Sequence, residues 1–112
     1  MRCLRLTHVN VRVERLDDAV RFYTTVMGLE PIERLDRGGK GAWFRLGESQ
    51  LHLAEDPAPQ PRSRRHFAVE VADLAEARQT AARHGTEIDQ EEPGRFFMRD
   101  PSGNRIEVAQ AR

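Results

Sequence analysis

A chain of 112 residues with 18 basic and 18 acidic side chains has no formal net charge, and charged residues make up 32% of it. Without an excess of either sign, nothing in the bulk points to nucleic acid or an anionic membrane surface as a partner. A lone cysteine, Cys3, leaves no internal disulfide and no cysteine metal cluster.

The length suits one domain, or two small halves sharing one core. No apolar run approaches the roughly 20 residues of a membrane helix. The start, Met1 to Leu6, lacks the apolar core of a signal peptide. A reducing, cytoplasmic location is the expectation.

Residues 4–13 read as a strand: Val9, Val11 and Val13 share one face, and His8, Asn10 and Arg12 the other. Residues 16–27 follow helical spacing, with Leu16, Ala19, Val20, Tyr23, Val26 and Met27 in one stripe. Asp17 and Asp18 suit its first turn, and Gly28 its C-terminal cap. A strand is expected over residues 29–35 and a flexible turn over 36–41. Two short strands follow, at residues 42–46 and 50–54, parted by a turn at 47–49.

Residues 56–63 hold Pro57, Pro59 and Pro61 and read as an extended linker. The expected division is module one at 1–55, linker at 56–63 and module two at 64–112.

The second half repeats the order of the first. Phe67, Val69 and Val71 alternate with His66, Ala68 and Glu70 in a strand at residues 65–71. A helix at 74–84 opens on Asp73 and Glu76, an acidic version of the capping box, and Gly85 marks its end. His84 suits the favourable charge at a helix C-terminus. Residues 86–89 form a weak strand, 91–94 a turn, 95–99 a strand, 100–103 a turn and 104–109 the last strand. The fold class is therefore α+β, two tandem βαβββ modules.

His8, His52, His66 and Glu107 stand out. Each lies within a first or last strand of a half, beside apolar residues that face the other way. His8 and His52 are 44 apart and His66 and Glu107 are 41 apart, so the two halves carry matching pairs. Pairing of first and last strands would gather them. Three imidazoles and a carboxylate suit a divalent metal ion such as zinc, nickel, iron, cobalt or manganese.

Several stretches carry a resemblance: His8-Val9-Asn10-Val11, Phe22-Tyr23 with Val26-Met27-Gly28-Leu29, Leu51-His52-Leu53, His66-Phe67-Ala68-Val69, and Asp100-Pro101-Ser102-Gly103-Asn104-Arg105-Ile106-Glu107. On these the chain resembles the vicinal oxygen chelate superfamily, which includes glyoxalase I, bleomycin-resistance proteins, fosfomycin-resistance transferases, methylmalonyl-CoA epimerase and extradiol dioxygenases. The resemblance covers essentially the whole chain. It implies a curved mixed sheet or half-barrel around a central cavity, with helices outside. It makes His8, His52, His66 and Glu107 the metal ligands, and it suggests a homodimer whose modules pair within one chain or are exchanged between two.

A glyoxalase-like lyase or isomerase is the leading expectation, with a small oxygenated substrate chelated to the metal. Glu107 or Glu70 would be the general base, while Asn10, Arg12 and Trp43 would line the substrate. An ion pair between Glu70 and Arg12 is the equal alternative for Glu70. With His52 where glyoxalase I commonly has Glu, only one carboxylate ligand remains, which weakens a two-glutamate proton shuttle. Arg12 matches a glutathione-contacting arginine of glyoxalase I, and no other glutathione match is present. Fosfomycin transferases use further cationic residues after the last ligand, which argues against that activity here. The alternatives are a drug-binding protein of the bleomycin-resistance kind and an extradiol-type iron dioxygenase.

Overall fold

A computed structural model describes residues 1–35 and 38–112, so Asp36 and Arg37 of the expected turn lie outside the described residues. The chain forms two compact units, Met1–Ala58 and Pro59–Arg112. Each is a βαβββ module, and the α+β class is as the sequence implied.

In the first unit the elements are β1 (His8–Val13), α1 (Leu16–Thr25), β2 (Glu30–Ile32), β3 (Gly41–Leu46) and β4 (Ser49–Glu55). The sheet order is β1-β4-β3-β2. β1 runs parallel to β4, and the other pairs are antiparallel. One sheet face packs under α1: Val11, Val13, Phe44, Leu51 and Leu53 are buried with Ala19, Phe22 and Tyr23. Strand alternation then turns His8, Asn10, His52 and Trp43 to the other face.

The second unit has β5 (His66–Val71), α2 (Leu74–Arg83), β6 (Glu87–Glu92), β7 (Arg95–Arg99) and β8 (Arg105–Gln110). Its order, β5-β8-β7-β6, with β5 parallel to β8, repeats that of the first unit. Leu74, Ala81, Phe96, Phe97, Met98, Ile106 and Val108 are its buried apolar residues.

The same device starts both helices. The Leu16 N–H donates to the Glu55 carboxylate at 2.9 Å, and the Leu74 N–H donates to the Gln110 amide oxygen at 3.0 Å. A side chain at the end of the last strand thus satisfies an orphan amide of the first helical turn. In α2, Asp73 also accepts from the Glu76 N–H at 3.1 Å, one half of the expected capping box. Gly28 and Gly85 both adopt φ 66, the left-handed conformation expected after each helix.

Several boundaries differ from expectation. The first strand begins at His8, not at residue 4; β4 starts at Ser49, and its backbone reaches back only to the Thr7 carbonyl, which accepts from the Gln50 N–H at 3.1 Å. β2 is confined to three residues, those that pair with Trp43, Phe44 and Arg45. Helix α1 stops at Thr25 and α2 at Arg83. The turn expected at residues 91–94 narrows to Pro93 and Gly94, since Glu91 and Glu92 pair with Phe96 and Arg95. Glutamates are poor strand formers, and here the ladder outweighs that preference.

Removing either helix-starting acceptor, by Glu55→Ala or Gln110→Ala, should lower unfolding free energy by about 1 kcal/mol. Urea denaturation measures this. An unchanged midpoint would show that water replaces the acceptor without loss.

Candidate functional site

The polar face of the first unit is built on β1, β4 and β3. In the parallel ladder Asn10 is the partner of His52, and in the antiparallel one Trp43 is. Three rings stack across the strands. Trp43 and His52 have centroids 4.0 Å apart and planes within 4°, and His52 and His8 are 4.2 Å apart within 16°. His52 Nε2 lies 2.8 Å from Gln50 Oε1, and His8 Nδ1 lies 3.2 Å from Thr7 Oγ1. Arg12 binds Asp56 at 2.9 Å and donates to the Ala58 carbonyl at 3.0 Å, partners that the sequence did not single out.

The polar face of the second unit centres on His66 and Glu107. Their strands pair in parallel, so His66 Nε2 comes within 3.2 Å of Glu107 Oε1. His66 Nδ1 lies 2.9 Å from the Arg64 carbonyl oxygen. A carbonyl only accepts, so Nδ1 carries the hydrogen, and in the neutral ring Nε2 is left with its lone pair. That lone pair then faces a carboxylate. Two acceptors at this distance need a positive charge, either a second proton on His66 or a cation that both hold. Glu70 lies on the same strand and is exposed.

Phe97 is the directly paired neighbour of Glu107, as Trp43 is of His52. It meets His66 edge-on at 5.2 Å and lies between two guanidiniums, Arg105 at 3.8 Å and Arg95 at 5.2 Å from its centroid. Phe96 turns to the other face and joins the core, so the adjacent pair divides between faces as expected. The Phe44–Trp43 pair divides in the same way.

Five charged side chains beside this site, Arg95, Glu92, Asp89, Arg99 and Arg105, were not singled out from the sequence. Arg95 donates to Glu92 at 2.9 Å and reaches Glu107 at 3.4 Å. The bond from Glu92 holds the Arg95 guanidinium above its ordinary range, while Arg95, then Gln90, hold the Glu92 carboxyl below its own. Asp89 is the extra residue of a β-bulge, between Ile88 and Gln90. Its carboxylate binds Arg99 at 2.6 Å and Arg105 at 3.5 Å, and both guanidiniums are largely buried. The available signal was strand parity: Arg95, Phe97 and Arg99 alternate with Phe96 and Met98.

Among the described residues, no three His, Cys, Asp or Glu side chains gather into one cation-binding group. The chain presents two pairs, His8 with His52 and His66 with Glu107. Their donor chemistry fits a borderline divalent ion. The second pair already brings a ring nitrogen and a carboxylate oxygen within 3.2 Å of each other. The first is stacked face to face, and an imidazole ligates in its ring plane, so a shared ion requires one ring to turn out of the stack.

The family model of the Glyoxalase/Bleomycin resistance protein/Dioxygenase superfamily matches residues 5–108. The chain belongs to that superfamily. Solved structures agree in fold. A protein from Bacillus anthracis assigned to the glyoxalase family is 29% identical, with a TM-score of 0.84 and all of both chains covered. A mutant of the fosfomycin resistance protein FosX from Listeria monocytogenes, complexed with Mn(II) and 1S,2S-dihydroxypropylphosphonic acid, is 18% identical. Its TM-score is 0.87, over 99% of this chain and 95% of that one. An integron cassette protein from Vibrio cholerae is 19% identical, with a TM-score of 0.79 over 100% of this chain and 98% of that one. No curated protein sequence matches the chain. No helix among the described residues is long and apolar enough to cross a membrane.

Replacing Asp89 with Ala removes the carboxylate partner of Arg99 and Arg105, whose side chains are 10% and 6% exposed. It leaves Arg99 its bonds to the Ser63 and Gly103 carbonyls and Arg105 its bond to Gln90. The expected loss is about 3 kcal/mol, as for a broken buried pair. Equilibrium urea unfolding checks it, and a loss under about 0.5 kcal/mol, the size of an ordinary surface change, would show the bulge carboxylate to be dispensable.

Proposed function

We propose that this superfamily member is a glyoxalase-like, metal-dependent lyase or isomerase acting on a small oxygenated substrate. The observation that carries the reading is the His66–Glu107 pair. Its Nε2 lies 3.2 Å from a carboxylate oxygen, with Nδ1 bonded to the Arg64 carbonyl. That arrangement suits a shared cation, and the carbonyl bond is the outer contact that fixes the tautomer of a ligating histidine.

His8, His52, His66 and Glu107 are the proposed ligands, with both pairs serving one ion, whether within one chain or between two copies. When bound, the metal supplies Lewis-acid chelation of adjacent substrate oxygens, which stabilises developing oxyanion charge. The protein's own groups do the rest. Glu70, exposed four residues beyond His66 on the same strand, or Glu107 takes the substrate proton. Asn10 and Trp43, which flank His52 in the ladders, and Arg12, held by Asp56, orient the substrate.

Trp43 is the sole tryptophan and lies flat on His52. Nickel(II) added to metal-stripped protein should therefore change its fluorescence with a break at one ion per chain. His8→Ala and His66→Ala should each abolish that break. Retention of half the binding by each variant would mean two independent sites, and no response in wild type together with no metal after reconstitution would replace the enzyme by a metal-free ligand-binding protein.

Mixing the two variants distinguishes the pairing. If the modules are exchanged in a dimer, the heterodimer regains one intact site; if they pair within a chain, none returns.

Turnover is to be screened with methylglyoxal–thiol adducts and several metals. Glu70→Gln should leave nickel binding within twofold and lower turnover by about 10²-fold or more, the usual loss of a general base. Unchanged turnover would return Glu70 to a structural role and leave proton transfer to Glu107.

A further inference from the structure

We propose that Arg95 is a built-in competitor for the metal ligand Glu107 and sets how tightly the ion is held. The inference rests on the reading that Glu107 is a ligand. It starts from one oxygen: Glu107 Oε1 is shared by His66 Nε2 at 3.2 Å and Arg95 Nη1 at 3.4 Å. The Glu107 side chain is 16% exposed and that of Arg95 42%, so the charge of Arg95 reaches Glu107 only partly screened by solvent.

Arg95 is anchored where it stands. Its Nε donates to Glu92 Oε2 at 2.9 Å and its Nη2 to Glu92 Oε1 at 3.4 Å. Glu92 is itself steadied by Gln90 at 2.6 Å. The guanidinium lies over Phe97, and the Arg95 backbone carbonyl accepts from Arg78 of α2 at 3.3 Å. The contact with Glu107 is therefore made by a group held in place from several sides.

The equivalent ladder position of the first unit carries no arginine. Gly41 pairs with Ala54 as Arg95 pairs with Ala109, so Gly41 occupies that position and has no side chain. A Cβ there would meet the Leu53 carbonyl oxygen and the Arg34 guanidinium, so the position does not admit one as built. A divalent ion arriving at Glu107 must displace Nη1 from Oε1 or bind beside a fixed positive charge. Either way affinity falls and release quickens.

The test is nickel(II) affinity of the full chain, read by competition with a chelator and followed through Trp43. Arg95→Met should bind nickel about fivefold more tightly, the range of one partly exposed charge interaction. Arg95→Lys, which keeps the charge, should stay within about twofold of wild type on the same scale. Glu92→Gln frees Arg95 to serve Glu107 alone and should weaken nickel binding about threefold. Unchanged or weaker binding in Arg95→Met overturns the proposal, because it would make Arg95 neutral or a support for the ligand. If Arg95→Met does not fold, Glu92→Gln decides: weaker binding sustains competition, and equal or tighter binding overturns it. Failure of the metal reading itself is distinguishable, since wild type would then bind no nickel.

Discussion

Everything at the polar faces depends on parallel pairing between the first and last strands of each module. In β1 with β4 this ladder sets Asn10 against His52, and in β5 with β8 it sets Ala68 against Glu107. The histidines of the first strands, His8 and His66, come two residues earlier in each case. A one-residue slip in either ladder would send the imidazole or the carboxylate to the helix side of the sheet. The valines, leucines and isoleucine on that side prevent the slip, because it would carry them away from the core. Hydrophobic burial thus fixes the register, and the register fixes the chemistry.

Equivalent frames carry different neighbours. His52 is covered by Trp43 and stacked on His8, whereas Glu107 lies opposite Phe97 among arginines. Flat aromatic stacking suits neutral rings, and guanidiniums suit a carboxylate. Each surrounding matches the type of donor it holds. The Asp89 bulge adds a fixed anion between Arg99 and Arg105, so the arginine-rich face balances its own charge.

The module order, both helix-ending glycines, and the pairs His8–His52 and His66–Glu107 were legible in the sequence. Strand parity and helix caps are local signals, and duplication reinforced them. What escaped was whatever depended on cross-strand register. Arg95 is twelve residues from Glu107, and only the antiparallel return of β8 beside β7 brings them within reach. The bulge at Asp89 and the continuation of β6 through two glutamates likewise follow from pairing partners rather than composition. In the opposite direction, residues 4–6 read as strand, yet β4 begins too late to pair with them.

The bond from each last strand to its own helix start has an implication for origins. Glu55 holds Leu16 and Gln110 holds Leu74, so the end of a module secures its beginning with groups it carries itself. Such a unit can be copied head to tail without redesign of its ends. Copying it also copies the pair of side chains on its polar face, His8 with His52 in one unit and His66 with Glu107 in the other. Doubling a self-fastened module thus yields two units of one architecture, and Gly41 in one against Arg95 in the other lets them differ in electrostatics.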